Sequence, residues 1–123
     1  MICLDANIII YAVQHPTIEK LLLAQRVIAH PSIVEIEVLG YHKIGLAEER
    51  SIRLFFNVSK RLPLSDEIVE LAIRIRQSRK IGLGDAVIAA TAIDIDSELW
   101  TVNTKDFAGI EGLKLHNPLP KRG

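Results

Sequence analysis

Cysteine is almost missing from this 123-residue chain, and the lone Cys3 excludes an intramolecular disulfide or a thiolate zinc site. It lies in the apolar run Met1-Ile2-Cys3-Leu4, where a small buried side chain is the simplest reading. Aromatics are few, with three Phe, two Tyr and one Trp, so base-stacking platforms of the kind used by single-strand binders are not evident. An excess of one charge is also lacking. The 15 basic residues balance 15 acidic ones, which argues against holding nucleic acid by bulk positive field alone. The longest strongly apolar runs, Ile8–Val13 and Ala86–Ile93, fall well short of the ~20 residues of a membrane span. Asp5 and Asn7 interrupt the start too early for a secretory signal. What is present is a hydrophobic share of 49%, enough for a core without staples. The expectation is one domain over residues 1–123, cytoplasmic and free of membrane.

Met1–Leu4 reads as a buried strand, since it is apolar without alternation and ends at Asp5. Ala6–Val13 reads as a short helix, and His15-Pro16-Thr17 opens a second one. Val27–Ala29 fits a strand broken by Pro31-Ser32, followed by a helix over about Ile33–His42 and another over Leu46–Asn57. Arg61–Pro63 is a short strand or an extended link. Ser65 caps a helix that ends in the basic run Arg74-Ile75-Arg76-Gln77-Ser78-Arg79-Lys80. Ala86–Ile93 is small and apolar on nearly every face, which predicts a central buried helix. Leu99–Val102 and Leu113–Leu115 read as the last strands. Strands alternating with helices predict an α/β fold around a mostly parallel sheet, whose ligands lie beyond the carboxyl ends of the strands.

Four acids fit poorly with a purely solvated role. Asp5 directly follows the first strand, Asp85 stands between Gly84 and the all-apolar helix, and Asp106 follows the Leu99–Val102 strand. Each has an ordinary alternative, a helix cap for Asp5 and Asp85 and a turn for Asp106. Glu35 and Glu37 are two apart on one helix and cannot share a face, so at most one of them turns towards the sheet edge, and a solvated side chain is the ordinary alternative for Glu37. Carboxylates converging on a cleft repel unless protonated or bridged by cations, and hard oxygen ligands favour Mg²⁺ or Mn²⁺ over zinc. Such ions suit phosphoryl chemistry. His15, His30, His42 and His116 show no metal-ligand spacing and read as surface or core residues.

The strings Leu4-Asp5-Ala6-Asn7-Ile8-Ile9-Ile10-Tyr11, Glu35-Ile36-Glu37-Val38-Leu39-Gly40-Tyr41, Gly84-Asp85-Ala86-Val87-Ile88-Ala89-Ala90-Thr91-Ala92 and Thr101-Val102-Asn103-Thr104-Lys105-Asp106-Phe107 stand in an order that resembles a PIN domain of the VapC toxin type. The resemblance runs nearly from end to end. It implies a three-layer α/β/α fold and a ribonuclease that hydrolyses RNA phosphodiester bonds with one or two Mg²⁺ or Mn²⁺ ions, leaving 5′-phosphate and 3′-hydroxyl ends. It also implies a homodimer and a cognate antitoxin, with exposed apolar positions on the early helices as the dimer surface. Asp5, Glu37 and Asp85 match the core metal-binding and catalytic acids, and Asp106 the more variable fourth. Asn7 matches an Asn that holds the first acid, and Asn103 stands where some relatives place the fourth acid. Val34 replaces a frequent Ser or Thr. Arg74, Arg76, Arg79 and Lys80 are candidate RNA contacts, or else cations complementing a helix C-terminus.

Rival enzymes fit less well. A haloacid-dehalogenase phosphatase wants a second acid two residues after the first, where this chain has Asn7, and a receiver domain wants an acidic pair near the first strand. A PIN fold serving as an RNA- or protein-binding regulatory module, with weak or no nuclease activity, remains the alternative. The balanced charge describes only the metal-free chain, because two bound divalent ions would leave it positive by roughly four.

Overall fold

The computed structural model describes residues 1–119. Its elements run β1 (Ile2–Leu4), α1 (Ala6–Gln14), α2 (Pro16–Leu23), β2 (Ile28–Pro31), α3 (Ser32–Leu39), α4 (Leu46–Val58), β3 (Lys60–Leu62), α5 (Asp66–Ser78), α6 (Leu83–Asp94), β4 (Glu98–Trp100), α7 (Thr104–Phe107) and β5 (Leu115–His116). The strands form one sheet in the order β3-β2-β1-β4-β5, and every pairing is parallel. This is the expected α/β/α architecture, with a sheet wholly parallel where only a mostly parallel one was predicted.

Parallel strands require helical crossovers, and those helices cover the sheet and explain its continuous apolar strands. β1 lies at the centre, pairing Cys3 with Ala29 of β2 and Leu4 with Trp100 of β4. Burial raises the Cys3 thiol to about 12, with the Asp5 charge adding to it, so it stays protonated as a core side chain. In α6 every residue from Ala86 to Ala92 is buried, because small side chains let α5 and α3 pack close against it.

The differences from the expected boundaries have local causes. β2 continues through Pro31, which pairs with Leu62 as the last residue of the strand, and α3 begins directly after it. A proline lacks only the N–H, so it ends a ladder without preventing the last pairing. Arg61 belongs to a true strand, β3. The last strand falls at Leu115–His116, two residues later than its apolar start suggested, after a turn in which Gly112 takes φ 83°. Among the described residues, no helix is long and apolar enough to cross a membrane.

Candidate active site

Asp5 ends β1 and begins α1. Its backbone is extended (φ −77°, ψ 159°), its N–H donates to Trp100 O at 3.0 Å, and its Oδ1 accepts from Ala6 N–H at 2.7 Å. The capping role expected of it is therefore real, but it accounts for one carboxylate oxygen. Oδ2 accepts from Thr101 Oγ1 at 2.7 Å and from Asn7 Nδ2 at 3.2 Å. Asn7 turns its other end to the Val102 N–H (3.3 Å), and Thr101 accepts from the Asn103 N–H (3.0 Å). Two side chains thus tie the β1–α1 junction to the β4–α7 loop, with Asp5 buried between them.

Thr101 was not legible as a partner, yet its position carries a signal. Leu4 pairs with Trp100, so the next residue on each strand, Asp5 and Thr101, stands at the same level of neighbouring strand ends. Asn103 takes part through its backbone N–H, while its side chain is exposed and makes no cap to α7. Val34 is fully buried, so the position of the missing Ser or Thr serves the core.

Of the two glutamates on α3, Glu37 is the one that reaches the acid group. A Cβ placed on Gly84 would stand 2.9 Å from Glu37 Oε2, so the carboxylate lies against the first turn of α6. Glu35 goes the other way. Arg61 grips it with Nε and Nη2 at 2.7 and 2.6 Å, and the buried His30 reaches its Oε2 at 2.8 Å. The Arg61 hydrogen bonds, with help from His30, hold the Glu35 carboxyl at about 2, well below its usual range. The His30–Glu35–Arg61 tie was invisible in sequence because Arg61 lies 26 residues from Glu35 and only the β2–β3 pairing brings it near.

Asp85 lies in the first turn of α6. Its cap is Gly82, which has no side chain to offer, so the helix-cap reading of Asp85 gives way to a first-turn acid. Asp106 sits on the single turn of α7. Asp85 and Asp106 line one cleft of about 580 Å³ together with Arg76, Arg79, Lys80 and Lys105. Lys105 was not anticipated. Arg74 lies one turn back on α5 and faces an adjacent cleft.

Three of the acids, Asp5, Glu37 and Asp85, have their carboxyls raised. Burial raises the Asp5 carboxyl above its usual value; the hydrogen bonds from Thr101, Ala6 and Asn7 oppose the rise and the Asp106 charge adds to it. Burial, then the charges of Asp5 and Asp85, raises Glu37, and burial, then Asp5 and Asp106, raises Asp85. The donors are all hard oxygens, the set that suits Mg²⁺ or Mn²⁺. Among the described residues, no three His, Cys, Asp or Glu side chains close on one point as the ligands of an assembled metal site do.

Comparison with known proteins bears on the family and the fold. A family profile for the PIN domain matches residues 2–113. No match to a curated protein sequence was found. The chain is similar to a solved toxin–antitoxin complex from Klebsiella pneumoniae, with 33% identity and a TM-score of 0.79 over 97% of this chain and 98% of that one. It is also similar to VapBC2 from Rickettsia felis, solved bound to a DNA fragment from its promoter, with 27% identity and a TM-score of 0.80 over 95% and 98% of the two chains. VapBC-1 from nontypeable Haemophilus influenzae, at 24% identity and a TM-score of 0.78 over 95% and 98%, shares the fold. A family match over nearly the whole chain and relatives of equal length lead to one conclusion: this chain belongs to the PIN domain family and is of the VapC type.

Proposed function

We propose that this chain is a divalent-metal-dependent endoribonuclease, acting in the cytoplasm as the toxin of a toxin–antitoxin pair. The observation that carries the reading is the gathering of acids at one end of the sheet: Asp5 buried at the end of β1, Glu37 against the first turn of α6, and Asp85 and Asp106 on a basic-rimmed cleft. Carboxylates gathered in this way are suited to receive one or two Mg²⁺ or Mn²⁺ ions. Bound there, the ions would supply a water of lowered pKa and neutralise charge on the attacked phosphate. The chain's own residues do the rest. Ala6, Thr101 and Asn7 keep Asp5 oriented. Arg76, Lys80 and Lys105 line the cleft where a phosphate backbone would lie, and their attraction weakens with salt.

The test is cleavage of structured RNAs by the purified protein with Mg²⁺ or Mn²⁺, set against a chelator. The expected result is 5′-phosphate and 3′-hydroxyl ends that disappear on chelation. Cleavage indifferent to chelation overturns the metal dependence. Tight RNA binding without cleavage in any metal favours the regulatory-module reading, which has the open geometry of the acids on its side.

Gly84 offers a finer check. An alanine Cβ would meet the far end of the Glu37 side chain, which can swing away. Gly84→Ala is therefore expected to fold, gaining up to about 1 kcal/mol of helix propensity, while cleavage falls about tenfold because Glu37 is displaced. Urea unfolding and initial rates measure the two effects separately, and unchanged cleavage would remove Glu37 from the machinery.

Two of the similar structures are toxin–antitoxin or VapBC assemblies, and we infer an antitoxin partner here. A groove of about 320 Å³ lined by Ile10, Val13, Val38, Tyr41 and Ile52 runs up to Glu37, so an apolar segment seated in it would end beside the acids. A second copy of the chain would pack on the exposed Leu21 and Leu23 of α2.

A further inference from the structure

We propose that Arg79 is a positioning residue for Asp106 and not a contact for the RNA backbone. The inference rests on the metal-binding reading of the acid group. α7 is a single turn of four residues, Thr104–Phe107, far too short to hold itself by its own hydrogen bonds. Its cap Asn103 gives it no side-chain bond, and the closing Ala108 N–H reaches Lys105 O only at 3.4 Å. Something else must keep Asp106 at the cleft. On one side Phe107 is buried in the core. On the other, Arg79 donates from Nη1 to Ala108 O at 2.6 Å and from Nη2 to Asp106 O at 3.4 Å.

Arg79 is placed for this task by the end of α5. It follows the last helical residue with extended backbone (φ −162°, ψ 161°), which carries its side chain off the helix axis and across to the α7 segment. A guanidinium on the carbonyls that end a helix satisfies orphan acceptors with charge-assisted bonds. The same engagement removes Arg79 from phosphate binding, which uses a pair of neighbouring N–H groups as a fork. Both Nη atoms are committed to carbonyls, and Nε is buried without a partner. Arg76 and Lys80 are exposed along the same cleft; Arg76 Nε donates to Ile81 O at 3.3 Å, away from α7, while the exposed Lys105 belongs to α7 itself.

Calorimetric titration of the full chain with Mn²⁺ alone, without RNA, tests the assignment. Asp106→Ala is expected to weaken Mn²⁺ binding by at least about tenfold as the loss of a ligand, and Arg79→Ala by about tenfold, the scale of losing an outer support of one. The double variant should bind no more weakly than Asp106→Ala alone, because Arg79 acts through Asp106. Arg79→Lys keeps the charge and the stem but not the fork; it should also bind Mn²⁺ more weakly, and it carries the test if Arg79→Ala does not fold. Metal-free melting curves give the folded fraction for each variant.

Full affinity in Arg79→Ala beside a weakened Asp106→Ala overturns the proposal. So do losses that add in the double variant, full rescue by Arg79→Lys, or an Asp106→Ala protein that binds like wild type. Wild-type Mn²⁺ affinity in Asp5→Asn identifies a different failure, that of the acid-group reading, and takes the proposal with it.

Discussion

Asp85→Asn should lower RNA cleavage by roughly a hundredfold or more and yet raise the melting temperature of the metal-free protein. The first effect follows if Asp85 holds an ion, since a catalytic metal supplies several kcal/mol of transition-state stabilisation. The second follows from the direction of its titration. Burial and the charges of Asp5 and Asp106 raise the Asp85 carboxyl above 3.8, so the folded chain holds the ionised form less well than the unfolded chain does. Its place in the first turn of α6, where a negative charge suits the helix dipole, does not outweigh that cost. Asparagine keeps the shape and removes the charge, and because Asp85 is only partly buried, solvent screening keeps the gain small.

Added Mg²⁺ should then raise the melting temperature of wild type and leave the variant unmoved. A metal-free variant less stable than wild type would contradict the electrostatic account. Asp5→Asn should behave differently, losing activity and also stability. Three donors converge on that carboxylate, and an amide turns an N–H towards one of them. The pH dependence has the same origin. For acids raised on folding, the stabilising share is complete below their ordinary values of 3.8 and 4.5, and it drains away as pH climbs through the raised ones. Metal-free protein should therefore lose part of its stability over that climb, and metal should restore it.

His30→Ala is expected to cost about 3–4 kcal/mol, a large part of the 5–15 kcal/mol that holds a typical domain together. The ring is fully buried beside Phe56, with centroids 4.6 Å apart. Its Nε2 faces Glu35 Oε2 at 2.8 Å and its Nδ1 faces Ser59 Oγ at 2.7 Å. A carboxylate only accepts, so the proton sits on Nε2 and the neutral ring accepts from the Ser59 hydroxyl through Nδ1. Alanine leaves a cavity under Phe56 and strips one partner from each of two polar groups. Urea unfolding at neutral pH measures the loss, and a change below 1 kcal/mol would show the site collapsing without cost.

Acid should weaken wild type through the same residues. Burial lowers the His30 pKa from 6.5, so its contribution is present above that value and is lost as falling pH forces the ring to charge. The Glu35 share is present above 4.5 and is lost towards about 2. The variant should show a flatter profile on the acid side.

What the sequence discloses and what it hides divide along the chain's own locality. Asp5, Asp85 and Asp106 stand out because each adjoins an apolar strand or helix, and a parallel sheet opens its cleft at those junctions. Asn7 is equally local, two residues from the acid it touches. The orientation of Glu37 is not local. Residues 35 and 37 point apart on any helix, and which one meets α6 is decided by Arg61, 26 residues away, and by His30 on β2. Thr101, 96 residues from Asp5, becomes its partner only through the β1–β4 pairing. The basic run at the end of α5 reads as one feature in sequence, yet the fold sends its members to different duties. Arg79 turns to the α7 carbonyls, while Arg74 and Arg76 face separate clefts.

The central position of β1 sets a schedule for the protein's birth. A chain is made from its N-terminus, so Asp5 emerges well before Trp100 and Thr101, and its N–H and Oδ2 wait for them before they are satisfied. Asp106 arrives later still. Product that ends before β4 carries the first acid without the strand that fixes it. A chain still without β4 therefore lacks two of the partners that hold Asp5 in place. The acid group is complete only once β4 and α7 have joined β1, so its assembly depends on contacts made across nearly a hundred residues.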